Sequence, residues 1–78
     1  SLQCKAIENR HLENYQFSQN SQQLNLSNNK ILSLEPFKNY SFASLEKLLI
    51  ADNFISSLIF QQNQFIKLKV LNASFNQI

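Results

Sequence analysis

The chain has 78 residues, an apolar content of 44% and a formal net charge of +2. A chain this short forms one domain at most, its weak charge gives no reason to expect nucleic acid as a partner, and no apolar run approaches the roughly 20 residues of a membrane span. Glycine is absent and there are one cysteine and one histidine, which excludes glycine-rich phosphate loops, an internal disulfide and a zinc site with the usual number of ligands.

The N-terminal segment, residues 1–20, does not share the pattern of the rest of the chain. Leu2 precedes Leu24 by the same interval as Cys4 precedes Leu26, so we expect a degenerate strand ahead of the first regular one, with these residues aligned. Free cysteine behaves as a small hydrophobic residue, and a buried thiol in the place of a leucine is one interpretation of Cys4.

The remaining chain, residues 21–78, repeats itself at two nearly equal intervals, from Leu24 to Leu48 and from Leu48 to Leu71. Apolar alternation predicts short strands near residues 23–26, 47–50 and 70–73, because successive side chains point to opposite faces of a strand. An inward-facing amide after each strand carries donors and an acceptor that can satisfy the backbone of a turn. The columns that recur in register are Leu24–Leu48–Leu71, Leu26–Ile50–Ala73, Asn29–Asn53–Asn76 and Ile31–Ile55–Ile78.

This spacing resembles the leucine-rich repeat, L-x-x-L-x-L-x-x-N-x-L, whose period is about 20–29 residues. Segment 45–55 fits the motif at every position, segment 68–78 fits with Ala73 as a small substitute, and segment 21–31 departs at Ser21. The resemblance implies an α/β solenoid, a right-handed superhelix with a short parallel β-sheet on its concave face. The repeats would span residues 21–44, 45–67 and, incompletely, 68–78.

The resemblance also implies roles for the recurring polar and aromatic residues. In the family the asparagines form a ladder with one step per repeat, so Asn29, Asn53 and Asn76 are interpreted as structural. The aromatic residues of the intervening arcs recur at nearly matching offsets, which favours a stacked core under the convex side over an aromatic ligand cage. They are Phe37 and Phe42, followed by Phe60 and Phe65.

Side chains that point out of the strands form the predicted partner-binding surface. A curved stack of repeats presents such a concave surface to a protein ligand. Alternation assigns to it Gln23, Asn25 and Ser27, then Lys47, Leu49 and Ala51, then Val70, Asn72 and Ser74. Scattered exposed apolar residues are ordinary, but Leu49 and Val70, with Phe75 close by, favour a protein-contact patch.

The sequence offers no set of catalytic groups. Paired-carboxylate chemistry needs two acids in one pocket, and the acids of this chain are scattered. His11 has no second ligand or base nearby in the sequence and is interpreted as a surface residue. We therefore expect no enzyme, no cofactor and no metal site. The acids are Glu8, Glu13, Glu35, Glu46 and Asp52.

Three functions remain open. The period and the cap-like Cys4 favour an interaction module of an extracellular recognition protein of the innate-immune receptor type, because cysteine-containing caps precede the repeats in extracellular members of the family, such as Toll-like receptors. Those caps pair two or four cysteines, and the lack of a partner for Cys4 favours a cytosolic adaptor or scaffold subunit. The third is a structural segment of a larger enzyme or receptor.

Three glycosylation sequons begin at Asn25, Asn39 and Asn72. Asn39 falls on the arc between two strands, whereas the other two point out of the predicted sheet. If the protein is secreted, we expect a glycan at Asn39 before the other two positions.

The last repeat has a strand but no returning arc. Leu71, Ala73, Asn76 and Ile78 are therefore expected to have neighbours on one side only. Natural repeat proteins cover such ends, so we expect a fragment whose open side is covered by further repeats, by another chain or by a second copy. No membrane contact is expected of this segment.

Overall fold

The computed structural model describes residues 2–13, 20–38, 40–61 and 64–78. Short regular elements joined by long arcs lie within these ranges. In chain order they are the α-helix α1 at Asn9–Leu12, the strand β1 at Gln23–Asn25, a 3₁₀ helix at Glu35–Phe37, β2 at Lys47–Leu49 and β3 at Val70–Asn72.

The three strands form one parallel sheet in the order β1, β2, β3. The register pairs Leu24 with Leu48 and Leu48 with Leu71, the column that the sequence repeat aligns. The predicted short parallel strands are confirmed, each ending one residue earlier than expected.

The inward side chains of the strands, and of the turns after them, form one apolar core. Leu26, Ile31, Ile50 and Ile55 are each 0% exposed. Burial of one such side chain contributes roughly 1.5–3 kcal/mol. Leu71 is 40% exposed, because β3 is an outer strand of the sheet.

The N-terminal segment extends the sheet beyond β1 without forming a strand. The Leu2 N–H donates to the Asn25 carbonyl at 3.2 Å, and the Cys4 N–H donates to the Ser27 carbonyl at 3.2 Å. We call each strand, or this equivalent segment, together with the turn after it a level. The described residues contain an N-terminal level and three levels that begin with β1, β2 and β3.

The register of the N-terminal level differs from the predicted one. The Leu26 N–H donates to the Leu49 carbonyl as the Leu2 N–H donates to that of Asn25, so Leu2 corresponds to Leu26. The predicted alignment of Leu2 with Leu24 was therefore wrong. Apolar alternation fits both alignments, and the backbone hydrogen bonds distinguish them.

The corrected register explains why Cys4 is not a core residue. Cys4 is a free, exposed thiol, so its interpretation as a buried thiol was wrong. It takes the turn position that Asn28 takes one level later, and both have a φ near 60°. Leu2 takes the core position that Cys4 was expected to occupy. Ile7, the counterpart of Ile31, is buried at 8% exposure.

The single turn of α1 is anchored to the next level. Its first N–H groups need partners outside the helix, and the backbone carbonyl of Glu8 accepts the His11 N–H at 3.0 Å. The Glu8 N–H in turn donates to Nδ1 of His11 at 2.9 Å. Asn9 Nδ2 donates to Oγ of Ser33 at 3.0 Å, and Leu12 is buried in the core. His11 itself is exposed.

Aromatic rings pack together on the arcs between strands. Phe42 stacks on Phe65 with ring centroids 5.2 Å apart, and each contacts the phenylalanine before it edge-on. Phe37 and Phe42 are buried, whereas Phe60 is 39% exposed at the margin of this cluster. The contacts are ring to ring, as expected for a packed core. Offset and edge-to-face pairs add about 0.5–1.5 kcal/mol beyond burial.

Candidate functional site

Asparagine side chains hold the turns in place after each strand. Asn53 Nδ2 donates to the Leu26 and Ile50 carbonyls at 3.0 Å each, and its Oδ1 accepts the Ile31 N–H at 3.0 Å. Asn53 is 4% exposed, so its amide replaces water for backbone groups that would otherwise be buried without partners. The bonds to Leu26 and Ile31 join two levels, and the bond to Ile50 lies within one.

Asn29 and Asn76 repeat this arrangement one level earlier and one level later. Asn29 Oδ1 accepts the Ile7 N–H, and Asn76 Oδ1 accepts the Ile55 N–H, each at 3.0 Å. The Nδ2 of each donates to carbonyls of its own level and of the preceding one. All these bonds are to backbone atoms, as the structural interpretation of the three asparagines predicts. This scaffold fixes the positions of the strands and therefore of the side chains that they present.

Two rows of outward side chains cross the sheet. The cross-strand register places Gln23, Lys47 and Val70 in one row. Gln23 and Lys47 are exposed, and Val70 is 42% exposed. Neighbouring strands lie about 4.8 Å apart, so the side chains of one row can act together on one ligand group.

The second row consists of Asn25, Leu49 and Asn72. Asn72 is exposed, whereas Asn25 and Leu49 are half-buried. Leu49 is therefore less accessible than alternation predicts, but it lies between two amides. Together the two rows bring six of the predicted partner-binding residues onto one face.

Ser27 does not belong to this face. It is buried, and its Oγ accepts the Ala51 N–H at 3.2 Å. The expectation that it points to solvent was wrong, because its side chain hydrogen-bonds to the backbone of the next level instead. Sequence reasoning missed Gln3, whose Oε1 accepts a hydrogen bond from Asn25 Nδ2 at 3.1 Å. Only the corrected N-terminal register would have placed it there.

Phe75, which was also predicted to contribute to the contact patch, lies on the turn after β3. It is 83% exposed, and its φ of 58° is in the left-handed region. The corresponding turn residues are Asn28 and Asp52, and these two residue types tolerate this region better than most residues other than glycine. Phe75 thus combines an unfavourable backbone conformation with an exposed ring, and strain of this kind concentrates at functional sites.

Of the described charged side chains near the start of the strands, Glu46 and Lys69 form an ion pair and Lys47 does not. Glu46 Oε1 accepts Lys69 Nζ at 3.2 Å, next to the row that contains Lys47. Within the described part of the chain, Lys47 has no ion-pair partner. A shallow cavity of about 220 Å³ at the start of β1 and β2 is lined by Gln22, Gln23, Glu46 and Lys47. The face therefore offers amides, one unpaired ammonium group and a small apolar area.

The described residues contain no group of three His, Cys, Asp or Glu side chains that could hold a metal ion. Among the same residues, no helix is long and apolar enough to cross a membrane.

The sequons differ in their surroundings. Asn72 is exposed, and its Oδ1 accepts the Ser74 N–H at 3.1 Å. Asn25 makes the equivalent bond to Ser27 at 3.0 Å, but it is half-buried. Asn39, the favoured glycan position, lies outside the described residues. The side-chain amide at Asn25 is thus the less accessible of the two that are described.

Comparison of the chain with protein-family models, with curated proteins and with solved structures found no match.

Proposed function

We propose that this chain is a non-enzymatic protein-binding module built as a leucine-rich repeat solenoid. Its ligand would be a protein, bound on the outward face of the sheet. The observation that carries the proposal is the pair of cross-strand rows, Gln23–Lys47–Val70 and Asn25–Leu49–Asn72.

The proposed solenoid is supported by the repetition of contacts as well as of sequence. Ile7, Ile31 and Ile55 each give their N–H to the asparagine of the following level. Their carbonyls accept N–H groups from Lys30, Phe54 and Gln77 in the same order, at 2.8–2.9 Å. Contacts that recur between neighbouring levels are typical of repeat proteins, in which each unit packs mainly on its neighbours.

The composition of the face supports a protein as the ligand. Protein interfaces combine apolar contact with hydrogen-bonding groups that set orientation. Val70 and Phe75 offer exposed apolar surface, while Asn72 and Lys47 offer donors beside it. The strands hold Lys47, Val70 and Asn72 at fixed separations, which lowers the entropic cost of binding.

We place the module in an extracellular recognition protein of the innate-immune receptor type, on the basis of its repeat length and cap-like N-terminal segment. The alternative is a cytosolic adaptor or scaffold subunit, favoured by the single free thiol of Cys4. In either setting the open side of β3, where Leu71 and Ile78 are exposed, would be covered by further repeats or another chain.

A retention experiment tests the proposed face. The immobilised 78-residue chain is exposed separately to secreted and cytosolic protein fractions, and retained proteins are quantified by mass spectrometry. The variant Lys47→Glu/Val70→Glu changes two exposed residues of the face, and the control Ile66→Glu/Lys67→Glu changes two exposed residues of an arc.

We expect at least one protein to be retained by the wild type and the control but reduced about tenfold or more with the face variant, as loss of a well-packed contact predicts. The fraction that supplies this protein distinguishes the extracellular from the cytosolic setting. Equal retention by all three chains would contradict binding through the sheet.

A further inference from the structure

A groove separate from the sheet face crosses three levels of the molecule. Its volume is about 480 Å³, and Leu32 and Phe54 supply its apolar walls at 61% and 48% exposure. None of its residues belongs to the two rows of the sheet. The lining residues are Glu8, Asn9, Arg10, Lys30, Leu32 and Phe54.

We propose that this groove binds a segment of a partner protein that carries a large apolar side chain flanked by carboxylates. The partner segment would place its apolar side chain between Leu32 and Phe54 and its carboxylates beside Arg10 and Lys30. This is a second interaction surface, and it does not depend on the function proposed for the sheet.

The first argument is that the fold does not require apolar residues at these positions. Lys30, Phe54 and Gln77 occupy equivalent positions, since each donates its N–H to the isoleucine carbonyl of the preceding level. Two of these three residues are polar. An apolar residue at this position is therefore compatible with the fold but is not needed by it.

The same argument holds for Leu32. It follows Ile31 as Glu8 follows Ile7 and as Ser56 follows Ile55, so its counterparts are a carboxylate and a hydroxyl. Single exposed apolar residues are ordinary, but two that line one groove, each with polar counterparts, indicate a contact surface.

The second argument is that the groove is already formed. The Leu32 N–H donates to Asn9 Oδ1 at 2.8 Å, and the Phe54 N–H donates to the Ile31 carbonyl at 2.8 Å. The Lys30 N–H donates to a carbonyl of the N-terminal level at 2.9 Å. These bonds fix the backbone on both sides of the groove, so a ligand would not have to order it on binding.

The third argument is the charge of the groove, which selects the partner. Two cations face one carboxylate, because Arg10 and Lys30 line the groove with Glu8. Glu8 and Arg10 form an exposed pair at 3.6 Å, with side chains 46% and 74% exposed. Such surface pairs are weak, so Arg10 can exchange its partner for an incoming carboxylate.

Lys30 differs from Arg10 because its ammonium group is not already paired with a carboxylate of the described residues. It is exposed, and among the described residues it has no ion-pair partner. An acidic group beside an apolar side chain would therefore find both an unpaired ammonium group and an apolar wall here.

Fluorescence anisotropy with labelled synthetic peptides tests the proposal. The peptides carry one leucine or phenylalanine between glutamates, and matched peptides carry lysine in place of every glutamate. We expect the full chain to bind the acidic peptides and not the basic ones. The double variant Leu32→Ser/Phe54→Gln introduces the residues found at the equivalent positions, Ser56 and Gln77. We expect its affinity for the acidic peptides to be lower by about tenfold or more, because burial of one apolar side chain contributes that much to binding.

Two further variants complete the test. Lys30→Glu should weaken binding of the acidic peptides and reduce its salt dependence, whereas Ile59→Ser, which changes another exposed apolar residue, should leave binding unchanged. Thermal melting followed by circular dichroism verifies that each variant is folded.

Three results would overturn the proposal. The first is that none of the acidic peptides binds. The second is equal binding by wild type and the folded double variant. The third is that vesicles of anionic lipid bind the wild type more tightly than the double variant while the peptides do not bind at all. That result would indicate that the groove contacts a membrane surface.

Discussion

Asn53 Oδ1 accepts the backbone N–H of Ile31, which lies 22 residues earlier in the chain, at 3.0 Å. A side chain of one level thus accepts a hydrogen bond from a backbone N–H of the preceding level. Asn29 and Asn76 make the equivalent bonds. The stability of each of these three levels, which contain Ile7, Ile31 and Ile55, therefore depends on a residue outside it.

Replacing Asn53 with leucine should lower the free energy of unfolding by roughly 1–3 kcal/mol, because buried backbone groups lose their partners. Asn72→Leu is the matched control, since Asn72 is exposed on the sheet, and its effect should be close to the roughly 0.5 kcal/mol of ordinary surface changes. Urea unfolding measures both values. Equal losses for the two variants would show that the side chain of Asn53 does not have this role.

Phe75→Asn should raise the free energy of unfolding by about 0.5–1 kcal/mol, because asparagine tolerates the left-handed conformation that Phe75 adopts. The reciprocal change Asp52→Phe should lower it by about 1–2 kcal/mol at the equivalent turn. Thermal unfolding of the two variants provides the comparison. A destabilised Phe75→Asn would mean that the ring stabilises the folded chain.

Phe42→Ala should lower the free energy of unfolding by about 3–5 kcal/mol, since Phe42 is buried and contacts several other rings. Phe54→Ala, at a position that is 48% exposed, should cost about 1 kcal/mol or less. Chemical denaturation distinguishes the two. A large loss for Phe54→Ala would show that Phe54 is a packing residue rather than a contact residue of the groove.

The pKa of Lys38 is expected to depend on its exposed ion pair with Glu35. The hydrogen bond from Lys38 Nζ to Glu35 at 2.8 Å, with the charge of that carboxylate, raises the pKa of Lys38 above its ordinary value of 10.5. A raised pKa favours the folded state below the unfolded pKa, and this contribution is lost as the pH rises through the folded pKa. NMR titration of Glu35→Gln should return the pKa of Lys38 to its ordinary value. An unchanged pKa would contradict the assigned cause.

If the chain passes through a secretory pathway, mass spectrometry should find Asn25 the least occupied of the sequons. Its amide is half-buried and bonded to Gln3 and Ser27, whereas Asn72 is exposed. We expect Asn39 to be occupied before either. Three unmodified sequons would favour the cytosolic setting.

The strands, their order and the asparagines could be predicted because each signal recurs in register. The N-terminal level could not, because Lys5 occupies the position at which the later levels have asparagine, and Leu2 alone fits two alignments. Ile7 precedes Ile31 by the same interval as Ile31 precedes Ile55, and this was the available signal for the correct register. A left-handed φ in the N-terminal turn is invisible in the sequence, since cysteine has no preference for that region.

The groove was missed for a different reason. Repeat alignment emphasises positions that agree, whereas Leu32 and Phe54 are informative because they differ from their counterparts. The repeat columns already align Phe54 with Lys30 and Gln77, but only the structure shows that Leu32 and Phe54 line the same groove.

The direction of the asparagine bonds has a consequence for biosynthesis. Ile7, Ile31 and Ile55 each receive their acceptor from an asparagine 21–22 residues later in the chain. A ribosome makes the chain from the N-terminus, so each level emerges before the residue that completes it. The hydrogen bonds of one level therefore cannot all form until the asparagine of the next level has been synthesised. Folding of each of these levels is completed only after the ribosome has added a further 21–22 residues beyond its isoleucine.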